Sequence, residues 1–279
     1  MNNPLNWRHA YLRVTAACLM LLSVCACGKS EPTYSGISVE GFNYLPYNLS
    51  RFTVSDAFGN SARGGADNMP GSGEGSLSCC YALKGTEFIV RWDYYDADQW
   101  QAGNKELLHA ETKVSMPPSQ IPEPMGDRIL EVHFYPDRHV ELVFPGALLG
   151  STRISASDVT RWMFDHYHKQ LDLLYPDRDD QQFRRIAREV AIGWLKYQLT
   201  DTNDLEQYAY YSLLINERFD SHPEVQKILQ STRSLPGKFS DAMIGLPTKT
   251  VSALKQNKFQ PVVVPNLPDG LLPALRAKE

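Results

Sequence analysis

Apolar positions along the chain follow two different periods, and the change from one to the other divides the chain in two. Between residues 34 and 144, hydrophobic and polar side chains alternate over short runs bounded by Gly, Pro, Asn and Asp, the pattern of half-buried strands. Residues 36–44 and 49–55 predict two strands joined by the turn Leu45-Pro46-Tyr47-Asn48. The stretch 56–75 is rich in glycine and without period, which predicts a loop. Strands are next expected over 76–83 and 86–95, the second alternating Phe88, Val90 and Trp92 with Glu87, Ile89 and Arg91. A polar insertion at 99–105 leads to a strand at 109–116 that stops at Pro117-Pro118. The plainest hairpin pairs 128–135 with 139–144 across Pro136-Asp137-Arg138. Short strands with such turns predict an antiparallel sandwich or barrel-like fold.

After Pro145-Gly146 the period becomes helical. Ser157 and Asp158 offer a cap to a helix in which Val159, Trp162, Met163, Tyr167 and Leu171 share a stripe, ending at Tyr175-Pro176. A second helix is expected over 179–199, with Phe183, Ile186, Val190, Trp194 and Tyr197 on one stripe and Arg184, Arg185 and Arg188 mostly off it. A third spans 204–219, and a shorter one, 222–230, carries Pro223 in its first turn. Beyond 234 the pattern is lost among prolines. The fold class expected is α+β: an antiparallel β-sandwich-like domain (36–145), then an α-helical domain (146–233) and an irregular Pro-rich tail (234–279).

The first 26 residues change the setting. A polar stretch with Arg8 and Arg13 and no acid runs into an apolar segment from Val14 to Val24, the pattern of an export signal. That segment is well short of the roughly 20 residues a spanning helix needs. It ends in Val24-Cys25-Ala26-Cys27-Gly28, which resembles a lipobox, so Cys27 is the expected site of lipidation and 27–35 a tether. A diacylglycerol with a further acyl chain anchors a protein stably. Neither Gly28 nor Lys29 is the aspartate that commonly retains a lipoprotein at the inner membrane, so the expected location is the outer membrane, facing the periplasm.

The full chain has 28 basic and 32 acidic residues, and Arg8 and Arg13 leave with the signal, which puts the mature protein at −6. Such a balance argues against general nucleic-acid binding. After lipidation only Cys79 and Cys80 remain, in an oxidising compartment; either a strained vicinal disulfide or two small buried hydrophobes would account for them. No metal or cofactor site is expected. His166 and His168, two apart on a helix, diverge, and Asp93, Asp96 and Asp98 lack a calcium-loop pattern. Gly71-Ser72-Gly73 is too short for a nucleophile elbow, so no catalytic residue is assigned and the expectation is a binding protein rather than an enzyme. Trp and Tyr anchor interfaces, and Tyr95 and Trp100, lying where the strand pattern fails, are the expected partner-binding residues together with Asp96 and Asp98.

Four places carry a family resemblance: Gly41-Phe42-Asn43-Tyr44, the Gly-rich loop running into Gly75-Ser76-Leu77-Ser78-Cys79-Cys80, Val90-Arg91-Trp92, and Val132-His133-Phe134-Tyr135-Pro136-Asp137. They span roughly residues 36–145 and resemble the bacterial domain-of-unknown-function family 3304; the helical half lies outside that pattern. Members look like envelope lipoproteins encoded beside type VI secretion genes, phospholipase effectors among them. The resemblance implies an immunity protein that binds and neutralises an antibacterial toxin. The alternatives are a structural or accessory envelope lipoprotein of a secretion apparatus and a periplasmic enzyme of unrecognised chemistry.

Overall fold

A computed structural model describes residues 31–72, 77–119, 128–144 and 152–272. The export-signal and Cys27 expectations lie outside the described residues. Among the described residues, eight strands form two four-stranded sheets. The first sheet holds β1 (Thr33–Asn43), β4 (Ser78–Lys84), β7 (Ile129–Phe134) and β8 (Val140–Val143), in the order β4-β1-β7-β8. The second holds β2 (Asn48–Asp56), β3 (Ser61–Gly64), β5 (Glu87–Tyr95) and β6 (Leu108–Ser115), in the order β3-β2-β5-β6. Phe88, Val90, Trp92 and Tyr94 of β5 all turn inward, as period-two alternation requires. They meet Phe52 and Val54 of β2 and Leu130, Val132 and Phe134 of β7 in one core.

Two details depart from the expected sandwich. β3 lies inside the stretch expected to be a loop, where Ala62 and Gly64 are buried and the pairing with β2 is regular from Phe52–Gly64 to Ser55–Ser61. Also, β1 and β7 pair in parallel while every other described pairing is antiparallel. The chain crosses between sheets repeatedly before β7, and so returns beside β1 running in the same direction.

Phe52 sits in a slot made by two glycines. A Cβ placed on Gly41 or Gly64 would come within 2.6 or 2.4 Å of its ring. The next residues of the same motif cross-stitch the entrance to β2. Asn43 Nδ2 donates to the carbonyls of Tyr47, Asn68 and Met69, and its Oδ1 accepts from Leu45 N–H.

β7 is buried along its whole length, because the outer face of the first sheet is covered by helices. Phe42, Tyr44 and Tyr135 leave the sandwich core and join a second core built by α2 (Ala156–Leu174), α3 (Asp179–Tyr197), α4 (Thr202–Tyr210) and α5 (Pro223–Ser231). α4 continues as a π turn, Tyr211–Ile215, and after a short 3-10 turn at Phe219–Ser221 the chain enters α5 through Pro223. Gly193 of α3 lets α4 approach: a Cβ there would stand 3.1 Å from the Tyr208 ring. Ser155, rather than Ser157 or Asp158, is the N-terminal cap residue of α2.

The irregular tail begins later than its prolines suggest. α6 (Lys238–Ile244) and α7 (Thr248–Lys255) form first, burying Phe239, Met243 and Leu254. The described residues from Thr33 onward make one compact unit, with the sandwich and the helices sharing the first sheet.

Candidate functional site

At the end of β5 the chain turns into α1 (Ala97–Gln101), five residues long. A helix this short has no stability of its own. Asp96 caps it, accepting from the backbone N–H of Asp98 at 2.9 Å and of Gln99 at 3.3 Å. Two arginines of α3 then hold it. Asp98 Oδ1 accepts from Arg184 Nη2 at 2.7 Å and Nε at 2.9 Å, and its Oδ2 pairs with Arg188 at 2.7 Å. Arg188 also reaches Asp96 at 3.1 Å, and Arg184 reaches Asp180 at 3.0 Å. The Arg184 and Arg188 side chains are only 4% and 8% exposed. Burial pushes the Asp98 carboxyl up, but the two guanidiniums outweigh it and hold the group below its ordinary 3.8.

These contacts correct the expected role of both acids. Asp96 and Asp98 do not present charge to solvent. They are internal struts, with 10% and 14% of their side chains exposed. Arg184 and Arg188, expected to lie off the buried stripe of α3, are themselves buried because that flank of the helix packs against α1.

Tyr95 and Trp100 stay at the half-buried surface of this braced turn, with ring centroids 4.8 Å apart and planes at 48°. The Tyr95 hydroxyl donates to Asp67 Oδ1 at 2.5 Å. Burial first, and that bond second, push its pKa up to about 12, so it stays a neutral donor. Lys105 Nζ lies 5.9 Å from the Trp100 ring centre, a cation–π contact. The result is a fixed aromatic platform with a cation at its edge.

Cys79 and Cys80 are neither bonded to each other nor buried; both are free and exposed. Their strand, β4, is the edge of the first sheet, and the register slips there. Ile37 faces Tyr81 and Val39 faces Ser78, so the two cysteines together oppose Ser38 in a bulge that takes them out of the core.

Tyr44, His133 and Glu131 have the composition of a catalytic relay but not the access. Tyr44 Oη is 2.9 Å from His133 Nδ1, and His133 Nε2 is 3.0 Å from Glu131 Oε2. Glu131 and His133 are fully buried, and the ring of His133 stacks on Phe42 at 4.6 Å. Burial holds the Tyr44 phenol well above its ordinary pKa, and the same oxygen accepts from Arg153 N–H. The row braces the first sheet against the segment entering α2. His139, at the other end of the hairpin, is exposed and bonds Asp137. His166 bonds the carbonyl of Trp162, while His168 faces Asp172 and Asp179. Among the described residues no group of three or more His, Cys, Asp or Glu is placed to hold a metal ion, and no helix is long and apolar enough to cross a membrane.

A cleft of about 410 Å³ opens between α3, α5 and the chain after α7, lined by Lys196, Tyr197, Leu229, Arg233 and Val264 among others. Three of its polar side chains are paired internally: Lys196 and the Tyr197 hydroxyl both donate to Asp220 Oδ2, and Gln226 donates to Tyr197 Oη. No known family model, curated protein or solved structure matches the chain.

Proposed function

We propose that this chain is a lipid-anchored envelope protein that acts by binding, neutralising an antibacterial toxin of which a secreted phospholipase is the type expected. The observation that supports it best is the platform of Tyr95 and Trp100 on a five-residue helix fixed by buried ion pairs. Aromatic anchors contribute most to an interface when they are held in place before the partner arrives, since little ordering entropy is then lost. The lipobox-like Val24–Gly28 segment and the resemblance to family 3304 lipoproteins point the same way.

The test uses cells that expose one another to a contact-delivered toxin. Cells lacking the gene should die beside toxin-bearing siblings, and the wild-type gene should rescue them. A Tyr95→Ala, Trp100→Ala double variant, matched in abundance and melting temperature, should rescue poorly. Survival of the deletion strain would remove the protective reading. Full rescue by the double variant would move the binding surface elsewhere.

A further inference from the structure

The outward face of the second sheet carries a basic group that the platform does not use. Cross-strand pairing sets Arg63 of β3 directly opposite Thr53 of β2, and Thr53 directly opposite Arg91 of β5. Arg51, two residues before Thr53 on the same face, lies opposite Asp93. Directly opposed residues have Cβ atoms roughly 5 Å apart, and residues two apart along a strand are separated by roughly 7 Å. Three guanidinium-bearing positions therefore surround one hydroxyl, and Arg51, Thr53, Arg63, Arg91 and Asp93 line a single concavity of about 290 Å³.

The ion pairs on this face aim the arginines without using them up. Asp93 takes the Nε edge of Arg51 at 2.5 Å, and Glu111 takes the Nε edge of Arg91 at 2.5 Å. His109 closes on the other oxygen of Asp93 at 2.6 Å. Among the described residues, the terminal nitrogens of Arg51 and Arg91 make no hydrogen bond, and neither does any atom of the Arg63 guanidinium or the Thr53 hydroxyl. Three positive groups stand against two carboxylates, with their paired N–H edges free.

We propose that this concavity is a binding site for a phosphate group. A carboxylate offers two oxygens and would leave at least one fork empty, whereas three or four tetrahedrally disposed oxygens match three forks and a hydroxyl. Guanidinium forks bind such oxygens two at a time. The phosphate is either free in solution or carried as a monoester by a lipid headgroup, and the chemistry at the site is shared.

The experiment is calorimetric titration of the full chain in a phosphate-free maltoside detergent at constant ionic strength. One arm uses inorganic phosphate, and the other uses dihexanoyl phosphatidic acid, a phosphomonoester with three unsubstituted oxygens, below its micelle concentration. Saturable binding of either probe is expected, weakened roughly tenfold or more by Arg63→Ala, as loss of a charged hydrogen-bonding group predicts. Arg63→Lys, which keeps the charge but not the fork, should recover only part of the affinity. Arg91→Gln, a second variant at an exposed position, should weaken binding as well, and Arg233→Ala, two residues past the end of α5, should bind as the wild type does. The tighter probe identifies the source of the phosphate. Absence of saturable binding by both probes, or an equal loss in Arg233→Ala, overturns the proposal.

Discussion

Asp98→Ala should cost this protein about 3 kcal/mol of folding stability, taken from the lower end of the roughly 3–5 kcal/mol that breaking a buried ion pair costs. The lower end applies because each arginine keeps one partner. Arg184 retains Asp180, which is 37% exposed, and Arg188 retains Asp96 at 3.1 Å. What is lost is three short charge-assisted contacts, from Arg184 Nη2 and Nε and from Arg188 Nη2. In a unit of this size such a loss lowers Tm by about 6–12 °C. The assay is thermal and urea unfolding followed by far-ultraviolet circular dichroism, with the difference in tryptophan emission between matched Trp100 and Trp100→Phe proteins reporting on α1. The pH dependence has a fixed sign. Asp98 titrates lower in the folded chain than at its ordinary 3.8, so its contribution is complete above that value and disappears as pH falls through the folded value. The gap between wild type and Asp98→Ala should therefore narrow in acid. A loss below about 0.5 kcal/mol at neutral pH, the range of ordinary surface changes, would refute the claim that α1 hangs on these ion pairs.

Gly64→Ala forces a methyl to within 2.4 Å of the buried Phe52 ring, so a loss of about 1–3 kcal/mol is expected from overpacking. Combining it with Phe52→Leu should cost less than the two single losses together, as a double-mutant cycle in urea would reveal. Glu189 is buried on α3 and, although Ser212 donates to it at 2.6 Å, burial raises its pKa above 4.5. An acid raised in this way stabilises the fold while protonated and loses that contribution as pH rises. Glu189→Gln should therefore melt higher than wild type at neutral pH, with the difference fading in acid. In the reduced protein with Cys18, Cys25 and Cys27 replaced by Ser, both Cys79 and Cys80 should take maleimide without denaturant, giving two additions by mass. The hydrogen bond with Cys79 holds the Cys80 thiol above its ordinary 9.0, so its reaction should need the higher pH; protection of both thiols would refute their exposure.

The parts of the fold that were legible in the sequence are those fixed by period. β5 could be read because one face of the strand is apolar and the other, Ile89 apart, carries polar groups from Glu87 to Tyr95. The stripe of α3 was readable in the same way, since Ile186, Val190 and Trp194 are all buried. β3 was not, because Ser61-Ala62-Arg63-Gly64 contains no large apolar residue and owes its strand to pairing with β2. The parallel alignment of β1 with β7 is likewise a property of topology, with no local signal in either strand. Prolines misled at the end of the chain. Pro236 and Pro247 stand just before α6 and α7, where a missing N–H costs nothing and the fixed φ suits a helix entry. They punctuate two short helices instead of dissolving them.

The turn that carries Tyr95 and Trp100 was legible only in its aromatic half. Tyr95 and Trp100 beside Asp96 and Asp98 read naturally as an exposed mixed patch, and nothing within twenty positions hints otherwise. The partners that change the meaning of Asp96 and Asp98 are about ninety residues away, on the flank of a helix whose own stripe accounts for its burial without them. Once Arg184 and Arg188 are placed, the acids cease to be recognition elements and become the reason the aromatics keep their position. An apolar contact of similar size would bury comparable surface and often stabilise more. It would not fix direction in the same way: Asp96 caps α1 from its start while Asp98 ties the first turn to two guanidiniums, which sets both the axis and the rotation of the helix. A rotation of one residue would swing Trp100 by about 100° around a helix of 3.6 residues per turn, enough to separate its ring from Tyr95. The buried charges thus specify which side of α1 presents Trp100 beside Tyr95, and the platform and its struts have to be altered together for the surface to be moved without being lost.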